Sequence, residues 1–332
     1  MGCPPAEETG TLTDATPAAG DAATQQGQPR RHLLIAGTGR TGTSFLVRYL
    51  TGLGLDTHLA RHGAASFWNE DANAGLEDAL PANLGSPSLP YVVKSPWLHE
   101  YVDDLLARRD EVGLDGVIVP VRPLEEAAAS RVVLELRALH ERAPWMAEQR
   151  RTWQHGGGVV GGAVHSLHPL DQARVLAVGF HHLVERLVRA DVPLVLLDFP
   201  RLVLDPDYLF AKLAPVLRLP APMDAARARE LHQGLADATK VRIGAELAEF
   251  AAAGDGAGLP SLATLDQIAI RRELTRLRGL LAARSHDGAS AAAERDELRA
   301  RLAALAAENA RLRAEAADGS AAGTAEAIQR VV

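Results

Sequence analysis

A short apolar run leads into a glycine-punctuated loop and then into a helical pattern over residues 32–53. Residues 32–36 are typical of a strand, and the loop after them reads GTGRTGTS over residues 37–44. The apolar side chains that follow recur at helical spacing, and they are Phe45, Leu46, Tyr49, Leu50 and Leu53. The pattern predicts a strand, a loop and a helix over residues 43–53. The loop amides would gather at the helix N-terminus, where backbone N–H groups bind anions.

Three more apolar runs alternate with helical patterns along the chain. The predicted strands cover residues 91–93, 116–121 and 193–199, and the predicted helices cover residues 97–109, 124–142, 170–189 and 207–217. Continuous apolar strands that alternate with helices form parallel sheets with helices on both faces. The sequence therefore predicts an α/β fold with a P-loop-type parallel sheet.

The two ends of the chain differ in composition from the middle. Residues 1–30 and 317–332 are predicted to be disordered, residues 31–250 to form the α/β domain, and residues 251–262 to be a linker. Residues 263–316 predict a helical or coiled-coil extension, with seam positions at Ile270, Leu274, Leu277, Leu281, Leu298, Leu302, Leu305, Asn309 and Leu312. A homodimer through a parallel coiled coil and a helix packed on its own domain are both compatible with this spacing.

Charge and cysteine content exclude several classes of protein. The formal net charge is −7 with a sequence pI near 6.0, so nucleic acid is not an expected partner. The single cysteine, Cys3, excludes a disulfide framework, and no run of about 18 apolar residues predicts a membrane span. We therefore expect a cytoplasmic protein.

The GTGRTGTS loop differs from the usual nucleotide loop at the lysine position. Gly37 and Gly42 keep the outer glycine spacing, but Thr43 occupies the position of the lysine that contacts ATP phosphates. Arg40 instead offers a planar fork for an oxyanion. The predicted phosphate-binding residues of this loop are Gly37, Gly39, Arg40, Thr41, Gly42, Thr43 and Ser44.

A second motif follows the third predicted strand. It reads VRPLEEAAASR, which places Arg122 at the strand end, Pro123 next, and Ser130 eight residues after the arginine. Together with the stretch from Arg40 to Phe45, this motif resembles the sulfotransferases that use 3′-phosphoadenosine 5′-phosphosulfate. The arginine form of the loop is most similar to the carbohydrate sulfotransferases. Arg131 is a candidate to assist Arg122 and Ser130, but a solvent-facing helix residue is the favoured interpretation.

The resemblance implies a fold, a donor and a set of roles. It implies a P-loop sulfotransferase fold over residues 31–220, with 3′-phosphoadenosine 5′-phosphosulfate as co-substrate, no metal, and a hydroxyl acceptor on a carbohydrate or glycoconjugate. Arg122 and Ser130 would hold the 3′-phosphate. The family's late basic loop has no clear match here, and residues 240–242 are a candidate substitute.

Sulfuryl transfer needs a cation near the leaving oxygen and a base near the acceptor hydroxyl. Arg40 and Lys94 are the predicted cations, and Glu70 followed by His62 are the predicted bases. Glu77 and His99 are further base candidates. The glycine-rich stretch 153–169 is predicted to be a lid over the acceptor.

Two other functions remain open from the sequence. A divergent P-loop kinase is one, although Thr43 argues against it. A catalytically inactive P-loop scaffold that acts through its coiled coil is the other. Deletion of residues 263–332 is expected to preserve donor binding in an enzyme and to abolish partner binding in a scaffold.

Overall fold

The computed structural model describes most of the chain between residues 30 and 329. The described ranges are residues 30–69, 74–78, 86, 88–142, 161–163, 166–218, 224–238, 241–251, 258–284 and 292–329, and side chains are described as far as residue 314. Among the predictions above, the leader, Glu70 and most of the glycine-rich lid lie outside these ranges.

Four parallel strands form the central sheet. The strands of the structure are β1 (Arg30–Ile35), β2 (Trp68–Asn69), β3 (Ala74–Gly75), β4 (Val92–Lys94), β5 (Val112–Val121) and β6 (Leu194–Asp198). The main sheet has the order β4-β1-β5-β6, and each neighbouring pair is parallel. Strands β2 and β3 form a separate antiparallel pair. The predicted parallel α/β sheet is confirmed.

Helices follow each strand of the main sheet. They are α1 (Thr43–Gly52), α2 (His58–His62), α3 (Leu98–Ala107), α4 (Leu124–Arg142), α5 (Pro169–Arg189), α6 (Arg201–Leu204), α7 (Pro206–Leu213), α8 (Ala225–Leu235), α9 (Ile243–Ala251), α10 (Leu262–Arg284) and α11 (Ala292–Gln329). The predicted elements agree with these bounds to within a few residues; the largest differences are that β5 begins four residues before its predicted start and that α7 ends four residues before its predicted end.

Alternate residues of the strands pack on opposite faces of the sheet. Leu33 and Ile35 of β1 join a core cluster with α1, α6, α7 and α8, whereas Leu34 joins a second cluster with α3 and α5. Side chains on a strand alternate in direction, so an apolar run with both faces covered is the signature of this layered fold. Burial on both faces fixes β1, and therefore the loop at its carboxyl end.

Helix α4 is enclosed by other helices rather than by solvent. Val132 and Leu136 pack in a third cluster with Leu265 and Ile268 of α10. The His140 ring and the Asp266 carboxylate lie 2.8 Å apart at the same interface, and both are buried. The C-terminal helix α10 is therefore part of the folded core around α4.

Helices α10 and α11 form an antiparallel hairpin. The side chain of Gln267 donates to the Leu312 carbonyl at 3.2 Å, and the Arg301 guanidinium lies 3.6 Å from Glu273. Within this hairpin, predicted seam residues of α10 pack against those of α11. Their apolar cluster contains Ile270, Leu274, Leu277, Leu298, Leu302, Leu305 and Leu312. The helix packed on its own domain, one of the two arrangements left open, is the one observed. Helix α11 extends to Gln329, past the predicted end at residue 316.

None of the helices in the described part of the chain combines the length and apolar character of a membrane-spanning helix.

Candidate functional site

The loop between β1 and α1 has the backbone of an anion-binding turn. Four of its residues have positive φ angles, namely Gly37 (135°), Gly39 (78°), Arg40 (61°) and Gly42 (82°). Gly42 caps α1, and a Cβ there would lie only 3.1 Å from the Phe199 ring. Glycine is required at this position both by the backbone angle and by the ring, so packing fixes the loop against β6.

The two predicted anion-binding motifs meet at the carboxyl end of the sheet. Arg122 donates from Nη1 to the Arg40 carbonyl at 2.9 Å, and Arg40 donates from Nε to Ser130 Oγ at 3.4 Å. Arg122 also lies over the Phe199 ring, with its Cζ 4.7 Å from the centroid, and Glu126 Oε2 accepts from its Nε at 3.1 Å. Residues from two neighbouring strands thus form one site, because β1 and β5 are adjacent and parallel.

Several cations surround Arg40 at this site. Burial, together with the nearby charges of Arg122, Arg272, Arg137 and Arg131, lowers the pKa of Arg40 to about 10. Burial also lowers the pKa of Arg122, with Glu126 opposing the shift. Like charges held together in a buried place destabilise the folded protein unless an anion neutralises them. The arrangement is therefore suited to an anionic ligand.

Arg131 lies inside the site, so its interpretation as a solvent-facing residue is wrong. Its residue exposure is 7%, and Nη1 donates to the Thr38 carbonyl at 3.3 Å. Two buried polar atoms beside the loop, Arg131 Nε and Thr41 Oγ1, have no hydrogen-bond partner among the described residues. A bound oxyanion would accept hydrogen bonds from such donors.

Lys94 is buried at the end of β4 and donates hydrogen bonds to three acceptors. Its Nζ donates to Ser44 Oγ at 2.8 Å, to the Gly75 carbonyl at 2.5 Å and to Glu77 Oε1 at 2.8 Å. Burial lowers the pKa of Lys94, and Glu77 opposes the shift. The lysine therefore connects the first turn of α1, which contains Ser44, to the β2–β3 pair.

The base candidates are placed differently. His62 ends α2 with an exposed side chain, and its ring lies 4.6 Å from the His58 ring. Glu77 is held by Lys94. His99, in the first turn of α3, has a side chain that is 16% exposed, and its Nε2 lies 3.9 Å from Glu100. Burial lowers its pKa, while Glu100 and the neighbouring Gly37 backbone oppose that shift. Its Nδ1 has no hydrogen-bond partner among the described residues. Of the described candidates, His99 has both the position and an available nitrogen.

Sequence reasoning missed the arginines that come from distant helices. Arg137 belongs to α4, and Arg272 belongs to α10, more than 200 residues after the loop. Arg242, in the candidate basic segment, precedes α9, and its pKa is lowered by burial and by Arg272. No local motif marks Arg137 or Arg272, since each is one of many arginines on a helical pattern. Tertiary packing alone assembles them.

Comparisons with known proteins add little to this geometry. No protein-family model matches the chain, and no curated protein sequence matches it. A solved structure, the sulfotransferase domain from the curacin biosynthetic pathway, is similar at 14% identity and a TM-score of 0.38, over 74% of this chain and 98% of that domain. A TM-score of that size does not establish a shared fold. Among the described residues, no group of three His, Cys, Asp or Glu side chains is placed to hold a metal ion.

Proposed function

We propose that this protein is a sulfotransferase that uses 3′-phosphoadenosine 5′-phosphosulfate and a hydroxyl acceptor, with a carbohydrate or glycoconjugate as the acceptor class. The observation that carries the proposal is the convergence of Arg40, Arg122 and Ser130 at one sheet edge. An adenosine nucleotide with separate 5′ and 3′ phosphates needs two anion-binding groups close together, and these residues supply them.

The residues around the loop fit the phosphates of such a donor. Gly39, Thr41 and Arg131 offer a backbone N–H, a hydroxyl and a guanidinium on the loop side, and a Cβ at Gly39 would have no atom within 4 Å. That open space permits close approach of a ligand to the backbone. Arg122 and Ser130 face the same region from β5 and α4, in the role proposed for the 3′-phosphate.

Each side chain has a role in the proposed transfer. The acceptor oxygen forms a bond to sulfur while the bond from sulfur to the bridging phosphate oxygen breaks, and the acceptor proton moves to a base. Arg40 would neutralise the charge that develops on the leaving oxygen. His99 would take the proton, because its lowered pKa keeps the imidazole neutral near pH 7. Lys94 would act as a positioning residue through Ser44.

Ligand binding gives the direct test of the donor. Adenosine 3′,5′-bisphosphate at about 100 times its Kd should stabilise the protein by roughly 2.7 kcal/mol, or about 5 to 10 °C in Tm. ATP with magnesium should give little shift, and EDTA should not reduce the bisphosphate effect. Arg122→Ala should weaken binding by about 10-fold to 100-fold, because a hydrogen bond to a charged group is lost.

A matched variant separates this effect from a general loss of charge. Arg108 lies at the exposed end of α3 and pairs with Glu111, so Arg108→Ala should bind as the wild type does. Equal stabilisation by ATP with magnesium, or no shift with either ligand, would contradict the sulfotransferase proposal. The second result would favour the scaffold.

The pH dependence of transfer tests His99. Release of adenosine 3′,5′-bisphosphate through slow sulfuryl transfer to water needs no knowledge of the acceptor. The rate should fall as the pH drops through a value below 6.5, because the protonated imidazole cannot accept a proton. His99→Gln should lower kcat by about 100-fold or more and remove this pH dependence.

The control for His99 is a histidine on the neighbouring helix. His181 of α5 is exposed, and its charge is not among those that act on His99, so His181→Gln should retain the rate and its pH profile. A wild-type rate in His99→Gln would exclude His99 as the base and would return Glu70, which lies outside the described residues, to first place.

A further inference from the structure

The C-terminal helix α10 brings a held arginine towards the site. Arg272 donates from Nε to Glu246 Oε1 at 3.0 Å and from Nη2 to Glu246 Oε2. Its side chain is 13% exposed, and no hydrogen bond from Nη1 is found among the described residues. A carboxylate that grips the Nε and Nη2 edge orients the guanidinium, so the remaining donors are free for another oxyanion.

Arg122 is held in a similar way. Glu126 contacts its Nε and Nη2, both at 3.1 Å. The two arginine–carboxylate pairs are connected through the start of α9, because a Cβ on Gly244 would lie 2.7 Å from Glu126 Oε1, and Glu246 is two residues further along. A continuous set of contacts therefore runs from Arg122 through α9 to Arg272.

The cations of this region outnumber its carboxylates. Among the described residues, the arginines whose charges act on one another here are Arg40, Arg122, Arg131, Arg137, Arg242 and Arg272. The carboxylates that act on Arg122, Arg131 and Arg242 are Glu100, Glu126, Glu135, Asp237 and Glu246. Six arginines against five carboxylates leave a net positive charge, which an anionic group would neutralise.

We infer that Arg272 of α10 is a binding residue for the second phosphate of the nucleotide, so that the C-terminal hairpin completes the donor site. The inference rests on the proposed function, since it assigns a residue of that same site. The additional cation would then come from helix α10, whereas the sequence suggested only residues 240–242 as a substitute for the family's late basic loop. The inference also reverses the expectation that residues 263–332 are dispensable for donor binding.

Contacts with α11 and with α4 hold helix α10 in place. Helix α11 anchors it through Gln267 and Glu273, and the buried pair of His140 and Asp266 fixes it to α4. These contacts set the distance between Arg272 and the motif of β5 and α4. Ligand binding at Arg272 should in turn stabilise α10 against local opening.

The test uses the full chain and two ligands that differ by one phosphate. By calorimetry, Arg272→Gln should weaken binding of adenosine 3′,5′-bisphosphate about 10-fold, because one hydrogen bond to a charged group is lost. Binding of adenosine 5′-monophosphate should change less than about 2-fold. In hydrogen exchange, the bisphosphate should slow exchange over residues 262–284 in the wild type and have little effect there in Arg272→Gln.

The neighbouring arginine is the matched control. Arg271, on the same helix, pairs with Glu249 at 3.2 Å and lies over the Phe250 ring. Arg271→Gln should leave both affinities unchanged. Arg272→Lys, which keeps the charge without the fork, should bind the bisphosphate with intermediate affinity and should report on binding if Arg272→Gln fails to fold.

The outcomes separate this inference from the proposed function. If the wild type binds the bisphosphate and Arg272→Gln binds it equally well, the role of Arg272 is refuted while the sulfotransferase proposal stands. Equal weakening of both ligands in Arg272→Gln would show a general structural effect and would also overturn the inference. Failure of the wild type to bind the bisphosphate would overturn both proposals.

Discussion

Arg40→Ala is expected to weaken donor binding strongly while it stabilises the ligand-free protein. Affinity for adenosine 3′,5′-bisphosphate should fall by about 100-fold or more, because a buried, charge-assisted contact is removed. Stability should rise, since a folded-state pKa lowered from 12.5 to about 10 means that the charged arginine is disfavoured by folding at every pH below that range. Calorimetry with the bisphosphate and thermal unfolding without ligand measure the two effects.

The opposite signs make this variant informative. A substitution that disrupts the fold would lower both the ligand affinity and the stability. Removal of a binding cation from a cluster of like charges should lower the affinity without lowering the stability. The gain is moderated by the hydrogen bond from Arg40 to Ser130, which is also lost. Arg131→Ala is a useful comparison, because burial lowers the pKa of that arginine too. A decrease in Tm together with unchanged affinity in Arg40→Ala would contradict the anion-site assignment.

Gly42→Ala is expected to destabilise the protein by roughly 2 to 4 kcal/mol, since it adds backbone strain to overpacking. The φ angle of 82° disfavours any side chain, and the new Cβ would lie 3.1 to 3.3 Å from Phe199 and Leu202. Displacement of the Phe199 ring would also disturb Arg122, which lies over it. Chemical denaturation measures the loss of stability, and calorimetry measures the accompanying loss of bisphosphate affinity.

Gly39→Ala provides the control for packing. Gly39 has a similar φ angle of 78°, but a Cβ there would have no atom within 4 Å. Its substitution should therefore cost only the backbone strain, about 1 kcal/mol. Equal destabilisation by the two substitutions would show that contact with Phe199 contributes nothing to the loop.

Much of the fold and part of the site could be predicted from the sequence. The four apolar runs predicted the parallel sheet because a strand with both faces covered needs apolar side chains in both directions. The two motifs around Arg40 and Arg122 were locally encoded, and adjacent parallel strands necessarily bring their carboxyl ends together. The sequence could not decide between an intermolecular and an intramolecular partner for the seam of α10, because either arrangement buries the same leucines.

The remaining parts of the site depend on contacts between distant segments. Lys94 has acceptors from α1, β3 and Glu77, and these are set by packing rather than by spacing. The choice of His99 among the described base candidates likewise follows from its burial beside Gly37.

The sequence by itself determined the sheet, the glycine-rich loop after β1 and the arginine that follows β5, because backbone conformation and hydrophobic periodicity are local properties. Only the tertiary structure decided that Arg131 is buried and that Arg272 approaches from the C-terminal hairpin. Helices that are far apart in the chain meet there to cover one another's apolar faces, and no local pattern records which charges that packing brings together.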